Sequence, residues 1–108
     1  MRLRKDMRLG DEDMLLVANV SDALAHPVRI KLYQYVMVCN KELKPVCNGD
    51  LVKEFGYSQA TISQHMNKLT ESGLVEKKKQ DRYTMYYANI GMLRRFLDTT
   101  MKFSSFTR

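Results

Sequence analysis

The segment from Ser58 to Ser72 concentrates the side chains best able to make specific hydrogen bonds: Gln59, Thr61, Ser63, Gln64, His65, Asn67 and Lys68. Few of these carry charge, whereas an ordinary solvated face would favour Glu and Lys. Short amides and hydroxyls suit the edges of nucleic-acid bases, because Gln or Asn pairs two-fold with adenine and Ser or Thr meets several bases. Gln59, Ser63 and Gln64 are the expected base contacts. Ser58, Thr61, His65 and Lys68 lie nearer the edge of that face, where phosphates and the partial positive charge of a helix N-terminus would meet. A second cluster, Lys77, Lys78, Lys79 and Arg82, suits the backbone or minor groove of flanking DNA.

Other chemistries find little to work with. The chain has no nucleophile and base at a recognisable spacing and no phosphate loop, and its only histidines are His26, beside a helix start, and His65. An enzyme is not expected. Cys39 and Cys47 are the only cysteines, too few for a secreted disulfide scaffold, and a reducing compartment would keep them as thiols. They are metal, redox or packing residues.

The elements that must carry these groups follow from periodicity and punctuation. Asp11-Glu12-Asp13 sits where a helix N-terminus favours acid, ahead of Met14, Leu15, Val17, Ala18 and Leu24, predicting a helix over about 12–24. Pro27 suits the first turn of a second helix running to about Val38. Its apolar residues fall on two faces, Val28, Leu32, Val36 and Ile30, Tyr33, Met37, so it should be enclosed by neighbours. The polar run Asn40 to Pro45 reads as a loop, after which Asn48 or Asp50 caps a short helix carrying Leu51, Val52 and Phe55 inward and closed by Gly56. Ser58 is the next N-cap, and Ile62, Met66 and Leu69 form the buried stripe of a fourth helix ending at Gly73. Leu74–Lys79 and Tyr83–Ala88 are strand formers separated by Gln80-Asp81-Arg82, a two-stranded hairpin. A last helix starts near Gly91, with Met92, Leu93, Phe96, Leu97, Thr100 and Met101 on one side.

The predicted fold is mainly α: about five helices with an appended β-hairpin. Two short helices joined by Phe55-Gly56-Tyr57-Ser58 form a helix-turn-helix, and the hairpin behind it is a wing. At 108 residues the chain has room for one core. Residues 1–10 read as a flexible basic segment, 11–102 as a single winged-helix domain and 103–108 as a frayed tail. Eighteen Lys and Arg against twelve Asp and Glu give a net charge of +6, which favours a polyanionic partner. The N-terminal cluster Arg2, Arg4, Lys5 and Arg8 reads as a solvated run. No stretch approaches the roughly 20 apolar residues of a membrane span or the apolar core of a signal peptide, so a cytoplasmic protein with no membrane partner is expected.

Four motifs together resemble the ArsR family of winged helix-turn-helix repressors. Ala23-Leu24-Ala25-His26-Pro27-Val28-Arg29-Ile30 is similar to that family's opening "LAxPxRxxIL", and Ser58-Gln59-Ala60-Thr61-Ile62-Ser63-Gln64-His65 to its "SQxxxSxH" helix. The likeness continues through Leu69, Gly73-Leu74-Val75 and Met85-Tyr86-Tyr87, covering about residues 14–100. It implies a homodimer joined through the first and last helices, binding an inverted-repeat operator in double-stranded DNA and released by an inducer. The apolar stripes on those helices, Met14, Leu15 and Ala18 with Leu93, Phe96, Leu97 and Thr100, would form the seam.

The sensing half of the family pattern is only partly present. The third-helix motif "ELCVCDL" survives as Cys47-Asn48-Gly49-Asp50-Leu51, with Gly49 in place of the second cysteine, and from Ile90 onward only Asp98 remains of the last-helix acidic and histidine ligands. Cys39 and Cys47 are left either as a thiolate pair for a thiophilic metal, metalloid or oxidant, or with Cys39 packed as a small hydrophobe on the Val28, Leu32, Val36 face. Two sulfurs fall short of a closed zinc site, and no cofactor is certain. The wing also departs: it is one residue longer than usual and has Asp81-Arg82 where glycine is common, and Asp takes a left-handed turn less readily than Gly.

Overall fold

A computed structural model describes residues 8–107. The readings made for the N-terminal basic segment fall outside the described residues over 1–7, as does Arg108. The order is α1 (Asp11–Ala23), α2 (Pro27–Lys41), β1 (Val46–Cys47), α3 (Asn48–Phe55), α4 (Gln59–Glu71), β2 (Val75–Gln80), β3 (Tyr83–Ala88) and α5 (Ile90–Thr100), followed by a 3-10 helix over Met101–Phe106. The segment expected to fray from residue 103 is thus 3-10 helical to Phe106, continuing the axis of α5 with i to i+3 hydrogen bonds such as Ser104 Oγ to the Met101 carbonyl (2.7 Å).

The core is built by α1, α2 and α4 closing over the base of the sheet. Leu16, Val20 and Ala23 of α1, Leu32, Tyr33 and Val36 of α2, Leu51 of α3 and the stripe Ile62, Met66, Leu69 of α4 are all buried, with Val46, Leu74, Val75 and Tyr86 beneath them. The enclosure expected for α2 is incomplete: Ile30 and Val38 lie half exposed on its outer side. On α1 the residues that point inward are Leu16, Val20 and Ala23, which leaves Met14, Leu15 and Ala18 outside.

The helices are joined by specific polar contacts at their ends. Pro27 occupies the first turn of α2, and His26 caps it, its Nδ1 accepting the Val28 N–H at 3.1 Å. The last turn of α1 contains no basic residue of its own. Arg29 of α2 supplies one, donating from Nε to the Ala23 carbonyl (2.7 Å) and from Nη2 to the Asp22 carbonyl (3.1 Å). A guanidinium there satisfies orphan carbonyls and complements the negative end of the helix.

The α2–α3 connection is not the plain loop expected from its polarity. Val46 and Cys47 pair with Tyr86 and Met85, so the two-stranded hairpin of the sequence reading is a three-stranded antiparallel sheet in the order β1-β3-β2. Val46, buried at 1% exposure, makes this possible, because an apolar residue directly after Pro45 can be covered only from the sheet. Cys47 therefore becomes the N-cap of α3 in place of Asn48 or Asp50, and Asp50 turns back to accept the Cys47 N–H at 3.0 Å.

Two junctions place the remaining elements. Gly73 follows α4 at φ 86°, a left-handed conformation that suits glycine and reverses the chain, with the Met92 side chain of α5 lying against it. Asn89 caps α5 by accepting the Met92 N–H (3.1 Å). At the wing tip Gln80 faces Tyr83 across the two-residue turn Asp81-Arg82, and Asp81 adopts the left-handed φ of 57° that Asp tolerates better than most residues.

The end of α2 carries the least favourable backbone. Leu43 donates to the Asn40 carbonyl (2.9 Å) and Lys44 to the Cys39 carbonyl (2.8 Å), the paired bonds of a Schellman motif. This puts Leu43, whose side chain is 91% exposed, at φ 62°, where an L side chain costs roughly 1–2 kcal/mol. Leu43→Gly is expected to raise unfolding stability by about 1 kcal/mol after the larger chain entropy of unfolded glycine is set against it. A urea denaturation midpoint that stays level or falls would contradict this account of the turn.

Candidate nucleic-acid interface

Gly56, at φ 75°, ends α3 and frees Tyr57 and Ser58 to start α4 in a new direction. Ser58 is the N-cap: its Oγ accepts the Thr61 N–H at 3.1 Å and lies 3.0 Å from Thr61 Oγ1. The first turn of α4 contains no acidic residue, like those of α2 and α5 and unlike those of α1, with three, and α3, with Asp50. The partial positive charge at its N-terminus is consequently uncompensated and faces solvent, a favourable position for an anion.

Burial of Ile62, Met66 and Leu69 fixes where every other residue of α4 points. Gln64 and Lys68 are exposed on the outer face, with Ser58 and Gln59 exposed at its start and Thr61 half buried. Gln59 does not share Gln64's direction. It lines a cleft of about 400 Å³ with Cys47, Asn48, Arg82, Tyr83 and Thr84, facing the wing. Gln59 and Arg82 are thereby brought to one opening, although they are far apart in sequence.

Ser63 and His65 occupy the flanks of the buried stripe and are already engaged. The Ser63 hydroxyl accepts from Asn48 Nδ2 at 2.9 Å, tying α4 to the first residue of α3. His65 packs its ring on His26, with centroids 4.8 Å apart and planes at 51°. Burial first, then His26 and Arg29, hold the His65 imidazole below its ordinary value of 6.5. The face predicted from sequence is therefore divided: Gln59, Gln64, Ser58, Thr61 and Lys68 look outward, while Ser63 and His65 connect α4 to its neighbours. Spacing carries part of this signal, since residues 63 and 65 flank residue 62 on a helix, but their partners Asn48 and His26 come from elements that no local pattern pairs with them.

The wing lysines separate by strand alternation. Lys77 lies opposite the buried Tyr86, on the side of the sheet that meets α4, and its Nζ reaches Asn67 Oδ1 at 3.4 Å. Lys79 shares that side. Lys78 points to the other, with its Nζ 5.5 Å from the centre of the Tyr87 ring. Arg82 stands exposed at the tip.

Both cysteines are free thiols and partly exposed. Cys39 packs against the edge of the core, while Cys47 caps α3 at the wing cleft. Among the described residues, no three His, Cys, Asp or Glu side chains gather in an arrangement that could hold a metal ion.

The sequence profile of the bacterial regulatory protein arsR family matches residues 37–77, from the second half of α2 through the start of β2. The chain is 36% identical over 70 residues to the biofilm growth-associated repressor of Xylella fastidiosa (strain Temecula1 / ATCC 700964), covering 65% of this chain and 57% of that protein. Its family-model match and its relatives thus make the chain similar to ArsR-type repressors. A second relative, nodulation protein NolR of Rhizobium meliloti, is 33% identical over 78 residues, 72% of this chain and 59% of its own length. The chain thus spans less than two thirds of the length of the curated relatives it matches. In fold it is similar to an ArsR-like transcriptional regulator from Rhodococcus sp. RHA1, with a TM-score of 0.72 at 23% identity over 85% of this chain and 82% of that one. The winged-helix architecture read from the sequence is the fold that this regulator shares.

The division of α4 has a direct consequence for stability. Ser63→Ala removes the partner of Asn48 Nδ2, in a side chain whose Oδ1 is already buried without one, and should cost about 1–2 kcal/mol. Gln64→Ala, on the outer face, should change stability by less than about 0.5 kcal/mol. Equal effects of the two substitutions in thermal denaturation would show that Ser63 is an ordinary surface residue.

Proposed function

We propose that this chain is a sequence-specific DNA-binding repressor of the ArsR type, acting as a homodimer on an inverted-repeat operator in the cytoplasm. The observation that carries the reading is the start of α4: a helix N-terminus free of acid, bearing exposed Gln59 and Gln64 beside a basic wing. In this reading α4 is the recognition helix and enters the major groove. Gln64 and Gln59 read base edges, with Gln59 approaching from the wing side. Ser58, Thr61 and Lys68 take the phosphates, and Lys77, Lys79 and Arg82 follow the flanking backbone. Ser63 keeps a secondary role at the bases, because its hydroxyl is shared with Asn48.

The dimer reading is supported by α1 and α5, which pack on each other and leave an apolar surface uncovered. Met14, Leu15 and Leu97 are each more than half exposed, with Ala18 also outside and Leu93, Phe96 and Thr100 half buried behind them. A contiguous patch of this kind on paired helices suits a two-fold seam, in which the same residues face their own copies. Two recognition helices held in this way would meet successive major grooves on one side of the duplex.

The test begins with selection of a duplex from a randomised pool at low salt, followed by affinity measurements on the selected sequence. Gln59→Ala and Gln64→Ala should each weaken binding by about 1–3 kcal/mol and relax preference at particular base pairs. Lys79→Ala should weaken all duplexes alike and reduce the salt dependence by roughly one counterion. Unchanged affinity in both glutamine variants would refute the readout assigned to α4. Light scattering on Leu15→Glu and Leu97→Glu reads the dimer separately, with monomers expected.

A further inference from the structure

The contact between His26 and His65 lies outside the base and phosphate contacts proposed above, yet it is where α4 meets the start of α2. We infer that this histidine pair is a proton-sensitive latch: neutral, it holds the tilt of the recognition helix against α2, and protonated, it shifts that tilt and lowers DNA affinity. The inference rests on the DNA-binding reading, and it assigns both residues as positioning residues.

The geometry opposes charge on His65 and sets the tautomer of His26. His26 Nδ1 accepts the Val28 N–H at 3.1 Å, so the single proton of its neutral ring resides on Nε2. A second proton must go to Nδ1, where it would displace the cap and meet the positive end of α2. His65 is 4.8 Å away, centre to centre, so a cation on either ring opposes one on the other. The other charged group that acts on His65 is also cationic. Arg29, from α2, cannot lose its proton and is pinned by the Ala23 and Asp22 carbonyls. Lys68 stands one turn along α4 from His65. From α1, the end of the helix offers those two carbonyls, both already bonded to Arg29. No carboxylate acts on His65 to offset this surround: desolvation, His26 and Arg29 all work against its imidazolium.

The sign follows from proton counting. His65 in the seated state titrates below its ordinary value of 6.5, so the shifted or unfolded state binds more protons. The stabilisation from the pair is present above 6.5 and is lost as pH falls through the lowered value. Because DNA binds the seated arrangement, its affinity should fall with it. A histidine that instead touched a phosphate would give the opposite slope, since the polyanion favours the imidazolium.

The experiment is fluorescence anisotropy with the selected duplex at constant ionic strength from about pH 7.5 to about pH 5.5, beside urea denaturation over the same range. In the wild type, affinity should weaken on the order of tenfold and stability should decline. His65→Phe keeps a ring against His26 without a titratable proton, and His26→Asn keeps a capping acceptor. Each should reduce the pH slope, and the double variant should flatten both curves. Wild-type affinity that is level or tightens with acid, or a double variant that retains the wild-type slopes, would overturn the latch. Failure to bind the duplex at every pH would instead overturn the DNA-binding reading, and the difference in urea profiles would still decide whether the pair responds to protons.

Discussion

Everything proposed for α4 depends on one constraint: Ile62, Met66 and Leu69 are fully buried, so the helix has a single allowed rotation about its axis. Each such side chain removed from water is worth about 1.5–3 kcal/mol, more than any of the polar contacts around it. With that stripe fixed, the remaining positions have no freedom of assignment. Gln64 and Lys68 must face out, Ser63 must meet α3 and His65 must meet α2. The polar contacts at Ser63 and His65 then set the tilt of a helix whose rotation is already determined.

The parts of this arrangement legible in the sequence were those written in local period and punctuation. Ser58 as N-cap, Gly56 and Gly73 as helix ends, the stripe of α4 and the two strands of the wing all follow from neighbouring residues, and each lies where expected. What escaped was long-range. β1 contains only Val46 and Cys47, too short to show alternation, and exists because β3 has a free edge beside it. Thr99 is buried in α5 though its type and its neighbour Asp98 suggest solvent, because α1 closes over that side. The expected base contact at Ser63 and the expected phosphate contact at His65 were read from chemical type and place on the helix face, and neither reveals a partner 15 residues away or on another helix.

Electrostatics in the molecule is organised by helix ends rather than by ion pairs. Among the described residues, the salt bridges are Lys44 with Glu42, which is exposed and worth little, and Lys102 with Asp13, which is partly buried. By contrast, acid stands at the start of α1, Arg29 closes its end, and the start of α4 is left open. The same physical effect therefore stabilises one helix internally and leaves another with attraction to offer an external anion.

The lysines of β2 have a second consequence. With β3 in the middle of the sheet and β1 covering only two of its residues, β2 is an outer strand with a row of unpaired amide and carbonyl groups on its far side. Such an edge is a template for strand addition from another molecule, and adjacent like charges are among the ways proteins prevent it. Lys77, Lys78 and Lys79 would have to bring three ammonium groups against three more for two wings to join edge to edge in register. The charge that suits the wing to a nucleic-acid backbone also keeps it from polymerising with its own kind, so a variant that trades these lysines for apolar strand formers would meet the hazard of aggregation as well as the loss of a contact.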